Sequence, residues 1–123
     1  MKHPSTNFPI IFSKLRAILE EHAPKFVVTV DSSDHYCLTI PFSPKFKKGF
    51  PVAWVEVSKS YVSFHYMPIY FLPTLKKTLS SGLKARMQGK SCFNFKVVDE
   101  KLFGELRELT AKGFEESKKM GAV

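Results

Sequence analysis

Phe8, Ile11, Phe12, Leu15, Ile18 and Leu19, extended by His22, fall on one stripe of 3.6-residue period. This pattern predicts an amphipathic helix over residues 8–22. Thr6 or Asn7 is placed to cap it, Pro9 suits its first turn and Pro24 ends it. The β-branched run 25–31, the turn Ser32-Ser33-Asp34 and the alternating run 35–40 predict a hairpin. Residues 41–51 hold three prolines and one glycine and read as a loop. Two more strands follow, 52–58 and 61–66, joined by a tight turn at Lys59-Ser60 or Ser58-Lys59. Pro68 and Pro73 break the regularity. Residues 74–79 and 82–88 then read as two short helices, with Ser80 or Ser81 capping the second and Gly89 at its C′ position. Residues 92–97 form a fifth strand, and Asp99 caps a final helix running to about residue 118. The buried stripe of that helix is Leu102, Leu106, Leu109 and Gly113, flanked by Phe103 and Phe114. Gly104 and Gly113 would each cost about 1 kcal/mol against alanine in such a helix, which points to close packing on the sheet.

The resulting order is α-β-β-β-β-α-α-β-α. Strands in sequence flanked by helices predict an α+β fold. The expectation is a two-layer domain with a largely antiparallel five-stranded sheet and the N- and C-terminal helices on one face. The 123 residues are read as one domain spanning 1–123. Side chains alternate across a strand, and a two-residue turn keeps that parity through a hairpin. Ala53, Val55, Val57, Val62, Phe64 and Tyr66 therefore share the core face under the two long helices. Trp54, Glu56 and Ser58 share the other face with Tyr61, Ser63 and His65. His35, Cys37, Thr39, Cys92 and Asn94 extend that polar and aromatic surface.

Composition adds little until charge is divided by segment. Hydrophobic residues make up 44% and charged residues 24%, which excludes whole-chain disorder. No run approaches the roughly 20 apolar residues of a membrane span. Residues 1–9 lack an apolar h-region, so no secretory signal is expected and the cytoplasm is the expected compartment. There Cys37 and Cys92, which lack CxxC spacing, are expected to be reduced thiols. Residues 35–96 carry ten basic residues against one acid, Glu56, a net of +9, whereas the flanking segments are close to neutral. A surface of one sign attracts ligands of the other.

Motifs for catalysis are lacking: there is no GxSxG, HExxH or glycine-rich dinucleotide turn. Gly89-Lys90-Ser91 has the tail of a phosphate loop, but Lys84 stands where its first glycine belongs and the strand and helix come in reversed order. No catalytic residue, cofactor or metal is assigned, and the reading leans away from an enzyme. The loop 41–51 interleaves Phe42, Phe46 and Phe50 with Lys45, Lys47 and Lys48. Such interleaving can serve nucleic acid, but no recognised nucleic-acid motif accompanies it and that partner is not favoured. The apolar segment 67–79 must bury Met67, Ile69, Tyr70, Phe71, Leu72 and Leu75 somewhere. Folded over the polar face, it would wall a pocket with Trp54, Tyr61, His65 and Tyr70, with Glu56 inside. Lys90, Cys92 and Asn94 would then approach from the last strand. Basic surroundings make an anionic small molecule or a phosphorylated partner the expected ligand, bound by a monomer or weak dimer.

Leu15 to Leu19 followed by Ala23-Pro24, the run Lys59-Ser60-Tyr61-Val62, Gly89-Lys90 with Phe93 and Phe95, and the terminal helix together resemble the YdhG-like family of small bacterial domains. The resemblance follows most of the chain in order. It implies a cytoplasmic single domain with a curved antiparallel sheet packed on helices, similar to frataxin in broad layout. It also implies the alternative role of an iron- or metal-handling chaperone. Hard cations need clustered oxygen ligands, and the first helix and strand offer only Glu20, Glu21, Asp31 and Asp34.

Overall fold

The computed structural model describes residues 7–40 and 50–119. The loop read over 41–51, with its interleaved phenylalanines and lysines, lies outside them except for its last two residues. Helix α1 spans Phe8–Glu20, with Pro9 in its first turn, and buries the expected stripe from Phe8 to Leu19. A 3-10 turn at Ala23–Lys25 follows Pro24's fixed geometry and delays the first strand, so β1 is Val27–Asp31. The remaining strands are β2 His35–Ile40, β3 Phe50–Val57, β4 Val62–Tyr66, β5 Met87–Gln88 and β6 Cys92–Phe95. Short helices α2 Pro68–Phe71, α3 Pro73–Lys77 and α4 Ser81–Arg86 lie between β4 and β5, and α5 Glu100–Lys119 closes the chain.

The sheet is open, antiparallel and six-stranded, in the order β1-β2-β3-β4-β6-β5. The extra strand corrects the five-stranded expectation. The helix expected over 82–88 stops at Arg86, because Met87 turns extended (φ −68°, ψ 138°) and pairs with Phe93. Gly89, at φ 78°, belongs to the turn between β5 and β6 and not to a helix cap. Only glycine adopts such a φ without strain. Ser80 does cap α4, its hydroxyl accepting from the Leu83 amide at 3.1 Å while donating to Glu105 of α5. Pro68 starts a helix where an irregular stretch was expected, since proline fits a first turn even where it cannot continue a strand.

β3 starts two residues earlier than expected and includes Pro51. Leu38 pairs with Ala53 but Thr39 pairs with Pro51, which leaves Val52 as a bulge residue. Proline is tolerated in a strand at such an irregularity. The tight turn between β3 and β4 keeps the expected register, with Val55 opposite Phe64 and Trp54 opposite His65.

The core face is the expected one. Val55, Val62, Phe64 and Tyr66 are fully buried beside Leu106 of α5 and Leu15 and Leu19 of α1. Phe103 meets Phe95 edge-on at 5.0 Å, and Phe114 meets Tyr66 at 5.2 Å. Asp99 caps α5 through the Leu102 amide at 3.0 Å. Its buried stripe is broader than expected: Thr110 and Ser117 are buried, whereas Leu102 is half-buried. Ile69, Leu72, Leu75 and Leu79 also enter this core. The segment 67–79 thus joins the helical layer and does not close over the polar sheet face. The two long helices leave part of the core face open, and the short helices fill it. No helix among the described residues is long and apolar enough to cross a membrane.

Candidate functional site: the polar sheet face

Alternation along β2, β3, β4 and β6 brings a mixed aromatic and polar set onto one face. Cys37 lies opposite Trp54, Trp54 opposite His65 and His65 opposite Cys92, forming one row across four strands. The next row is His35, Glu56, Ser63 and Asn94. The indole of Trp54 stacks on the His65 ring, with centroids 4.5 Å apart and planes 13° from parallel. Both are half-buried, as are Cys92 and Asn94, while Glu56 is exposed.

A hydrogen-bond network fixes the β4–β6 side of this face. The Ser63 hydroxyl donates to Asn94 Oδ1 at 2.9 Å, and Asn94 Nδ2 donates to Gln88 Oε1 at 3.0 Å. The Cys92 thiol donates to the same Asn94 oxygen at 3.3 Å and lies 3.6 Å from His65 Nε2. β5 therefore contributes a site-facing residue, Gln88, that was hidden while 82–88 read as helix.

Burial holds His65 below its ordinary pKa; Glu56 opposes the shift and His35 reinforces it. Burial also pushes the Cys92 thiol up, against a smaller opposing effect of its hydrogen bond with Ser63. At neutral pH the pair is thus a neutral imidazole beside a neutral thiol, suited to hydrogen bonding and stacking. It is not the imidazolium–thiolate pair of a cysteine nucleophile.

The eight residues expected to form a pocket are divided by the structure. Trp54, Glu56, His65, Cys92 and Asn94 share the face. Tyr61 follows the tight turn after β3, where its backbone pairs with Ser58, away from the His65 end of β4. Tyr70 and Lys90 meet elsewhere, the Lys90 ammonium lying 5.7 Å from the Tyr70 ring centroid. They line a cleft of about 370 Å³ with Ile69, Pro73 and Lys76 that includes none of the sheet-face residues. Five of these eight side chains thus share the sheet face, on which Cys37, Thr39 and Ser63 are buried, whereas Tyr70 and Lys90 line the separate basic cleft. The reason is the burial of the 67–79 segment on the helical side.

Lys76 and Lys90 line the cleft. Among the described residues, Lys59, Lys76, Lys77, Lys84, Arg86, Lys90 and Lys96 enter no ion pair; the pairs that form use Lys14, Arg16, Arg107 and Lys119. The carboxylates named for a metal are engaged in part by arginine: Arg16 holds Glu20 at 3.2 Å and Asp31 at 2.7 Å, and Arg107 holds Glu21 at 2.7 Å. Among the described residues, no group of three or more His, Cys, Asp or Glu is placed to hold a metal ion.

His22 behaves as His65 does: burial lowers its pKa, with Glu21 opposing and Lys25 reinforcing the shift. An unfolded histidine titrates near 6.5. Between that value and the lower folded values, the unfolded chain binds more protons than the folded one. These two histidines are therefore expected to destabilise the fold as pH falls through 6.5, from about pH 7 to pH 5. Urea titrations across that range check this, and His65→Gln should flatten the dependence.

No family model, curated protein or solved structure matches the chain.

Proposed function

We propose that this protein is a binding module for an anionic small molecule or a phosphorylated partner, which it receives on the polar sheet face. The observation that carries the reading is the stacked Trp54–His65 pair beside the ordered Ser63–Asn94–Gln88 network. A flat aromatic surface next to fixed donors and acceptors suits a ring-bearing or polar ligand, and orienting side chains by hydrogen bonds lowers the cost of binding. The unpaired cations over residues 59–96 supply the field that favours negative charge. Lys90 and Lys76, beside Tyr70, offer a second foothold for a charged group. Membership of the YdhG-like family and a cytoplasmic location belong to the same proposal and rest on the short motifs quoted above.

The test is calorimetric titration with nucleoside monophosphates, sugar phosphates and a phosphopeptide. Saturable binding is expected for at least one class, weakening as salt rises. His65→Ala and Asn94→Ala should each weaken it by about tenfold, one step of 1.4 kcal/mol. Binding unaffected by either substitution would move the site away from this face. No binding by any of the three classes would overturn the reading.

A further inference from the structure

On the helical side, away from the polar sheet face, a cavity of about 490 Å³ opens between the end of α1 and the C-terminal half of α5. It is lined by His22, Lys25, Phe26, Ala111, Phe114, Glu115 and Lys118. We propose that this cavity is a second binding site, for a small amphiphilic acid with an aromatic or aliphatic body and a carboxylate head.

The walls are aromatic and fixed. Phe114 takes the edge of His22 at 5.0 Å and packs on Phe26 at 4.8 Å. Its far side rests against Tyr66 at 5.2 Å, and the Tyr66 hydroxyl is anchored on the Thr110 carbonyl at 2.6 Å. A buried, hydrogen-bonded tyrosine thus holds the floor in place before any ligand arrives. Preformed concave sites with mostly apolar walls and a few polar groups are where small molecules bind, and the volume lies within their usual range of roughly 300–1,000 Å³.

The polar groups point to an acid. The Lys25 and Lys118 side chains are exposed, and among the described residues neither enters an ion pair. Glu115 is the acid on the lining, set against the two lysines there. Burial keeps His22 neutral at pH 7, so it offers a hydrogen bond and no charge. The apolar body would cover the exposed parts of Phe26 and Ala111, and the carboxylate would stay in water between the two ammonium groups. Doubly charged phosphates, by contrast, would bring a second negative charge towards Glu115 and the aromatic rings.

The probe is 3-phenylpropanoate, followed by amide-resolved NMR of the full chain, with 3-phenylpropanamide as its neutral counterpart. The acid should perturb His22, Phe26, Ala111 and Phe114 in a saturable way and leave Trp54 and His65 unmoved. The amide should bind about fivefold more weakly, the scale of a surface ion pair. Ala111 is exposed, so Ala111→Phe should fill the cavity, abolish the response and leave the melting temperature nearly unchanged. Lys25→Gln with Lys118→Gln should make acid and amide equal. Equal binding of acid and amide by the unaltered chain would overturn the choice of an acid. Acid binding that survives Ala111→Phe, or no saturable response, would overturn the site. If shifts appear at Trp54 and His65 instead, the probe occupies the sheet face, and this second site fails while the first reading stands.

Discussion

Phe64→Ala is expected to lower the unfolding free energy by about 3–5 kcal/mol, the range for truncating a buried aromatic side chain. Phe64 is fully buried in β4 and has partners on both sides: Val55 in β3 and Phe93 in β6. Its ring also lies 6.2 Å from that of Tyr66. β4 is an inner strand, and helix α1 packs over it and β3, so the vacated space has little freedom to collapse. The upper part of the range applies where surrounding atoms cannot move in. A domain of this size is typically stable by about 5–15 kcal/mol, so the variant should be near the limit of folding at room temperature. Urea denaturation followed by far-ultraviolet circular dichroism measures the loss. A change below about 1 kcal/mol would contradict a core position, since surface substitutions stay within about 0.5 kcal/mol. Phe64→Leu separates ring loss from cavity formation and should cost less.

The faces of the central sheet were legible because two signals agreed. Valines and aromatics alternate with polar residues along 52–58 and 61–66, and the tight turn at residues 59 and 60 preserves parity. One register therefore satisfies both strands, and it places Trp54 against His65. A slip by one residue would have turned Val55 and Phe64 to solvent. The edges of the sheet carried weaker signals. β5 has two residues, too few for any period, and it follows a helical pattern with no break except the extended backbone at Met87. Pro51 reads as a strand breaker, yet the bulge at Val52 accommodates it. Apolar content in 67–79 showed that the segment is buried, but not against what. Ile69, Leu72 and Leu75 could fill either face by periodicity alone. The core beneath α5 took them, and so Tyr70 and Lys90 were drawn to a cleft separate from the sheet face. Same-face membership followed from local geometry, whereas enclosure depended on long-range packing.

The two glycines of α5 are expected to respond to alanine in opposite directions. Gly104 is exposed, and a methyl group there would meet nothing within 4 Å. Gly104→Ala should stabilise the protein by about 1 kcal/mol through helix propensity alone. At Gly113 the same methyl group would strike the Tyr66 hydroxyl and come within 2.9 Å of two of its ring carbons. Tyr66 cannot swing away. It is fully buried, bounded by Phe64 and Phe114, and donates to the Thr110 carbonyl at 2.6 Å. Burial pushes its hydroxyl above the ordinary tyrosine pKa, so it stays protonated, and a donor, at neutral pH. Overpacking costs about 1–3 kcal/mol, and a displaced buried hydroxyl adds about 1–3 kcal/mol. Set against the helical gain of about 1 kcal/mol, Gly113→Ala should lose about 1–5 kcal/mol. Tyr66→Phe removes the atom that the methyl group would strike first, though not the two ring carbons, so it relieves part of the conflict. The double variant Tyr66→Phe with Gly113→Ala should therefore be more stable than the sum of the single losses predicts, by about 1–2 kcal/mol. Denaturant midpoints for the three variants close this cycle. Strict additivity would show that the helix shifts as a body to admit the methyl group, and that the Tyr66 hydroxyl does not set the distance between α5 and the sheet.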